Sequence, residues 1–353
     1  VIELQDILAA IGVVFNGIPM MIFAMSYGFL AAPTAIGYMI GAGGMLIAGQ
    51  VMPISIQAGT IALVGTMGRD IKERLSISLF AGILMAVVGS FGLIHAVMNF
   101  AGVRIVFAMQ AGVGIILAKV AIDMIKSDKF TGLVSLAVAL GVWFPTQNLV
   151  YTIVASVIVS SAAFLLKNKK PIEIQQQKYS LALHKPIINY NVIRGALALA
   201  CLTVGSNIAF GNITANMANA ERNINALTVY SGLANLGSLF GGAPVEAIIS
   251  ATGAAPNAML SGFIMMVMMA IILVTGLLPK LARFVPMQSI AGFLFVIGAF
   301  VTTQGNAFNA FSGAEPLERL GASTALVMTA LTDPFIGLVS GTLVMRLAPL
   351  FGM

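Results

Sequence analysis

Charge, cysteine and histidine are all scarce in this chain. Only 8% of its 353 residues are Asp, Glu, Lys or Arg, and 59% are hydrophobic. A soluble domain carries roughly a quarter charged residues, so a soluble globular protein is excluded and an integral membrane protein is expected. Cys201 is the single cysteine, which excludes an intramolecular disulfide and a thiolate metal cluster. His95 and His184 are the two histidines and lie far apart. There is no HExxH, P-loop, GxSxG or paired-cysteine pattern, so enzyme chemistry has no foothold. No catalytic residue, metal site or cofactor is expected. The first apolar run leads into further apolar runs and not to a small-residue cleavage site, so no cleavable signal peptide is expected. The net charge of +6 does not point to nucleic acid. The basic residues sit in the loops between apolar runs, where orientation in a bilayer explains them.

Apolar runs are what the chain has in abundance. A spanning helix needs about 20 apolar residues, fewer when it is buried among others. By that measure the first half holds segments at 7–28, 33–50, 52–67, 75–97, 104–125, 130–145 and 147–166. The second half holds 192–217, 224–241, 243–256, 258–278, 286–303, 317–332 and 335–350. Between them lies the longest polar stretch, Lys167–Asn191. The halves resemble each other weakly: Pro53 and Pro244 stand 191 residues apart, and the Met-Gln pairs 109–110 and 287–288 stand 178 apart. Seven segments per half is an odd number, so the second copy enters the membrane from the opposite side. The expected fold is therefore all-α and membrane-integral, about 14 segments in two inverted seven-segment repeats, an architecture recurrent among transporters. Gly37, Gly41, Gly44 and Ala48 follow helical spacing and read as a close-packing stripe.

Segments three and ten are broken. Residues 231–255 read SGLANLGSLFGGAPVEAIISATGAA, and residues 41–65 carry a counterpart around Met52-Pro53 and Gln57. Interrupted segments in corresponding places of two halves mark a binding site. Backbone that leaves the helix at membrane depth is tolerated only against protein or a wet cavity. A helix restarting after Pro53 or Pro244 aims free N–H groups and its positive end at that cavity, which brings in Ala58 and Val245 through their backbones. Such a pocket suits a small planar polar molecule or an anion. Glu246 is the sharpest single residue, since an intramembrane carboxylate is expensive and by default functional. It is expected to bind substrate and to couple transport by loading a proton, against the plainer role of capping the next helix. Gln57 offers donor and acceptor together, or satisfies the broken backbone. Segment eight carries Ser206, Asn207, Asn212, Thr214 and Asn216, a cavity wall or a set of interhelix hydrogen bonds. Asn16 is a weaker candidate. Lys119 and Asp123, four apart on segment five, are expected to pair, and Trp143 and the tyrosines to anchor at the interface.

Residues 234–254 (ANLGSLFGGAPVEAIISATGA), 278–300 (LPKLARFVPMQSIAGFLFVIGAF) and 32–59 resemble the nucleobase–ascorbate transporter family, the xanthine/uracil permeases and their purine-permease relatives. The resemblance implies a core domain from residues 1–100 and 192–280, and a gate domain from 101–168 and 281–353, with 169–191 as linker. It implies a substrate between segments three and ten facing segment eight, short extended pieces in segments three and ten, and a nucleobase as cargo. The family's two acidic positions align with Ser206 and Ser250 here. The reading is thus a proton- or cation-coupled permease of the cell membrane for a nucleobase, bound by Glu246, Gln57, Ser206, Asn207, Ser250, Ala58 and Val245. The alternatives are an anion transporter or channel of the same fold, or a transport-inactive scaffold or sensor. Partners are a small-molecule substrate and the lipid bilayer, and a homodimer is compatible with the chain. Loops after odd segments hold twelve cations and those after even segments four, namely Arg104, Arg222, Arg319 and Arg346. That places the odd loops in the cytoplasm, whereas the family resemblance implies the reverse.

Overall fold

The computed structural model describes residues 2–168 and 183–351. The first half runs α1 (Leu4–Ser26), α2 (Ala31–Ile47), β1 (Ile54–Ser55), α3 (Ala58–Met67), α4 (Ile71–Ser90), α5 (Ile94–Ala101), α6 (Val103–Ser127), α7 (Lys129–Thr146) and α8 (Leu149–Asn168). The second runs α9 (Tyr190–Met217), α10 (Ile224–Ala234) and a 3-10 stretch Asn235–Phe240. It continues through β2 (Glu246–Ala247), a 3-10 turn Ala251–Ala254, α11 (Ala258–Val274) and α12 (Leu277–Ala282). After a further 3-10 turn come α13 (Ala291–Val296), a π-helix Ile297–Thr303, α14 (Gln304–Phe311), α15 (Pro316–Leu331) and α16 (Pro334–Leu347). Taking α5 and α12 as connectors, and α13 to α14 as one segment, leaves fourteen membrane segments. α5 lies 98° off the axis of α4, the geometry of a helix lying along the membrane surface.

Polar residues start the helices where the chain turns at the membrane faces. The side chains of Asp70, Asn189, Asn223 and Asp333 accept from backbone N–H groups in the first turns of α4, α9, α10 and α16, satisfying donors that no helix turn can reach. Between these caps the helices are apolar enough to sit in lipid. The chain is a multi-pass integral membrane protein.

The inverted repeat is visible in the packing. α4 packs on α10 as α11 packs on α2; α4 on α9 as α11 on α1; α7 on α8 as α15 on α16. One group comprises α1 to α4 and α9 to α11, the other α6 to α8 and α13 to α16. Small residues permit the closest approaches, as lipid-facing helices require. A Cβ on Gly82 would stand 2.6 Å from the Gly232 carbonyl, and one on Gly298 2.6 Å from the Gly114 carbonyl. The small-residue stripe of α2 is used in this way: a Cβ on Gly37 would meet the Ala234 carbonyl at 2.8 Å.

Two local expectations need correcting. Asp123 pairs with Lys126 at 3.0 Å, not with Lys119, because the exposed end of α6 lets the lysine three residues on reach it. Tyr38 and Tyr230 are buried and hydrogen-bonded, and so are not interface anchors. Of the polar linker, residues 169–182 lie outside the described residues, and residues 183–189 are docked, His184 N–H on the Leu239 carbonyl and Ile187 N–H on the Ser76 hydroxyl.

Candidate functional site

Segments three and ten meet at mid-membrane as a two-stranded antiparallel ribbon, with Ile54 opposite Ala247 and Ser55 opposite Glu246. Proline at 53 and 244 prevents helix on either side of the crossing, and strand pairing satisfies part of the backbone that the breaks expose. Side chains satisfy the rest. Thr34 Oγ1 accepts from Ala243 N–H at 2.8 Å, and Tyr38 Oη from Ile56 N–H at 3.2 Å. Tyr230 donates to the Met52 carbonyl at 2.5 Å. Asn235 Oδ1 accepts from Val245 N–H at 2.9 Å, while its Nδ2 donates to the Val245 carbonyl at 3.4 Å. This is irregular backbone made tolerable by protein, as the bilayer demands.

The expectation of two facing helix ends is half met. α3 begins at Ala58 with Gln57 as N-cap and no side-chain cap, so its first-turn amides are available. After Pro244 no helix restarts. The chain stays extended through β2 and forms only the turn Ala251–Ala254, where Ser250 Oγ accepts from Thr252 N–H at 3.3 Å. Thr, Gly and a following Pro256 are poor helix material.

Beside the ribbon lies a cavity of about 360 Å³. Its walls come from α1 (Asn16, Gly17), β1 and the turn into α3 (Ser55, Gln57, Gly59), α9 (Ser206, Phe210), β2 (Glu246), α6 (Gln110) and the segment α13 to α14. Most lining residues fall in the C-terminal halves of α9 and of that last segment and in the N-terminal half of α6, so the cavity opens toward the face holding those ends. Glu246 is 2% exposed. Its Oε1 accepts a hydrogen bond from the Thr60 hydroxyl in the first turn of α3. Its Oε2 is buried with no partner among the described residues, as is Asn16 Oδ1.

The seven residues picked from the sequence separate. Glu246, Gln57 and Ser206 line the cavity. Gln57 also donates to the Ala247 carbonyl at 3.5 Å, so its amide straddles cavity and ribbon. Asn207 turns the other way, donating to Thr228 and Ser231 of α10 at 3.3 and 3.1 Å and accepting from Ala247 N–H. The hydroxyl of Ser250 serves its own turn, bonded to Thr252 Oγ1 at 2.7 Å. Neither faces the cavity, because α9 and the turn expose a different edge to it. Val245 N–H is already taken by Asn235, and Ala58 is the first residue of α3; neither is among the residues lining the cavity. Thr214 accepts from Ser250 N–H, and Asn16 lines the cavity. Sequence reasoning missed the opposite wall: Thr302, Asn306 and Asn309. The signal was there in the polar run TTQGNAFNAF at 302–311. Thr302 lies in the last turn of the π-helix, a rare geometry often found at functional sites.

No family model matches the chain, and no curated protein matches it. Solved structures do match over nearly its whole length. The transmembrane domain of a cyanobacterium bicarbonate transporter, BicA, superimposes with a TM-score of 0.70 at 16% identity, covering 96% of this chain and 97% of that one. The overall structure of SLC26A9 gives 0.70 at 16% identity, covering 99% of this chain and 65% of that one. The murine Slc26a9 anion transporter in the inward-facing state gives 0.69 at 14% identity, with 99% and 68% covered. These neighbours overturn the resemblance to the nucleobase–ascorbate family. The Gly-Gly-Ala-Pro break that carried it belongs to a fold the two groups share. The chain has the fold of the BicA and SLC26A9 membrane domains: two inverted repeats of seven segments crossing at a broken pair.

Proposed function

We propose that the protein is a secondary transporter of a small inorganic anion, moved by alternating access at the cavity beside the ribbon. The observation that carries this reading is the uncapped N-terminus of α3 opening on a 360 Å³ cavity at the crossing of the two broken segments. Helix N-termini favour anions through free N–H groups and the helix dipole. The printed cargo of the structural neighbours, bicarbonate in one and anions in another, supports the same class. In this reading α1 to α4 with α9 to α11 form a moving core (residues 1–100 and 192–280), and the other group a gate (101–168 and 281–353).

Glu246 decides the coupling. No Lys, Arg or His is among the residues lining the cavity, so an ionised Glu246 would meet the anion without a counter-charge. Two like charges 4 Å apart repel by about 4 kcal/mol at an effective dielectric of 20. The anion therefore enters with a proton on Oε2, which turns a repelling acceptor into a donor. In proteoliposomes, uptake of bicarbonate, chloride or sulfate is expected to be saturable and to speed up when the loading side is acidified. Glu246→Gln should remove that pH dependence and lower gradient-driven uptake at least tenfold at equal reconstitution. Flux of none of these anions, or an unchanged pH profile in Glu246→Gln, overturns the reading.

The loops assign the mouth to a side. Arg69, Lys72, Arg74, Lys126, Lys129, Lys167, Lys185, Lys280 and Arg283 lie at the face opposite the mouth, and Arg104, Arg222, Arg319 and Arg346 at the mouth face. Cations mark the cytoplasmic side, so the cavity opens away from the cytoplasm. A membrane-impermeant thiol reagent should label Asn309→Cys, in a Cys201→Ser background, on intact cells. Labelling only after lysis would reverse the assignment.

A further inference from the structure

We infer that Arg194 and Asp333 form the latch that holds the protein shut on the face opposite the cavity mouth. The proposal rests on the alternating-access reading but not on the identity of the cargo. Arg194 Nε donates to Asp333 Oδ2 at 2.6 Å. The pair joins α9, at the centre of one packing group, to α16 in the other, and so ties together the bodies that must part. Among the described residues, the other ion pairs lie inside the second group: Arg104 with Glu318 and Lys126 with Asp123.

Its position fits a latch. Arg194 precedes Leu202, the first α9 residue lining the cavity, by eight residues, or about 12 Å of helix. The direction is away from the mouth, and Asp333 stands at the start of α16 on that same face. At the cavity wall the two groups touch closely: Gln110 of α6 donates to the Leu202 carbonyl at 2.9 Å, buried. α16 packs against α9 on this face, so solvent reaching the site along that seam must break the pair.

The chemistry fits as well. The Asp333 side chain is wholly buried, while 34% of the Arg194 side chain is exposed. Asp333 Oδ1 accepts from Ile336 N–H at 3.0 Å, so the carboxylate is fixed at the helix start and the arginine is the mobile partner. A buried ion pair adds little net stability over neutral groups, because desolvation offsets attraction. That makes it easy to exchange for two hydrated charges when the face opens. Removing one partner is different, since it strands a buried charge. The test therefore removes both charges. Asn at 333 keeps the cap, as Asn is as good an N-cap as Asp.

The chain carries its own reporter. Cys201 is the sole cysteine, seven residues and two turns beyond Arg194 on the same face of α9. In nanodiscs, a hydrophilic methanethiosulfonate should modify Cys201 at least tenfold faster in Arg194→Gln/Asp333→Asn than in the wild type. Asn309→Cys in a Cys201→Ser background reports the mouth, and there the double substitution should slow labelling. Arg194→Lys should restore both rates toward wild type. If the double variant does not yield folded protein, Arg194→Gln alone, which leaves the cap untouched, is measured in the same way. Opposite changes at the two reporters support the latch even if no anion is transported, in which case the cargo reading alone falls. Faster Cys201 modification with no change at residue 309 would mean local loosening and overturns the latch. No change at either position overturns it too.

Discussion

Gly232→Leu should abolish recovery of folded protein, or lower its melting temperature by about 10 °C or more. Gly232 of α10 faces Gly82 of α4, and a Cβ there would stand 2.6 Å from the Gly82 carbonyl and 2.7 Å from Ala86 N. Those atoms are helix backbone, so the new side chain is accommodated only by driving two helices apart. Overpacking costs about 1–3 kcal/mol even where side chains can shift, and here they cannot. The loss should be larger than usual because α4 and α10 flank the segment that turns into the ribbon. Gly43→Ala is the control. Nothing lies within 4 Å of a Cβ at Gly43, and alanine gains up to about 1 kcal/mol over glycine in a helix. It should melt at or above the wild type. Equal melting of Gly232→Leu and wild type, followed by size-exclusion and tryptophan fluorescence of Trp143, would refute this account of the α4–α10 crossing.

Asn235→Leu should nearly eliminate anion binding and cost several kcal/mol of stability. The amide of Asn235 is 2% exposed and closes three bonds: to Val245 N–H, to the Val245 carbonyl and to the Ser231 carbonyl at 3.1 Å. Leucine fills similar volume but leaves a backbone donor and acceptor unpaired at membrane depth, each worth about 1–3 kcal/mol. Val245 is next to Glu246, so the carboxylate loses its fixed position together with the strand. The expected signature is a lower melting temperature and no stabilisation by anion, since a ligand that cannot bind the native state adds nothing to it. Asn235 is a positioning residue that does not line the cavity. An Asn235→Leu variant that is still stabilised by anion as the wild type is would show that the ribbon holds its shape without it.

Particular residues show what was legible beforehand. Glu246 and Gln57 were legible because charge and amide are costly in lipid, and because Pro53 and Pro244 mark the breaks wherever the helices go. Asn207 and Ser206 are neighbours with the same apparent claim, yet one faces α10 and the other the cavity. A helix turns 100° per residue, so facing is set by how α9 is rotated against its neighbours, and the short polar run carries no signal of that rotation. Asn306 and Asn309 were passed over for the opposite reason. They sit near a segment end, where polar residues need no special explanation, and only the packing of α14 on α6 brings them to the cavity. The strand at 246–247 in place of a helix follows from pairing with residues 54–55, a contact almost two hundred residues away in the chain.

By itself, then, the sequence determined the membrane class, the fourteen segments, the inverted repeat and the two places where the backbone breaks. Each of these follows from local composition: apolar length, an odd segment count, and proline at membrane depth. Tertiary structure alone decided which side chains share the cavity, that α3 supplies the uncapped helix end, that the mouth lies opposite the basic face, and that Arg194 reaches Asp333. Those depend on helix rotation and on contacts between distant segments. Lipid leaves these underdetermined in the sequence, because an apolar surface facing lipid and one facing another helix are written in the same residues.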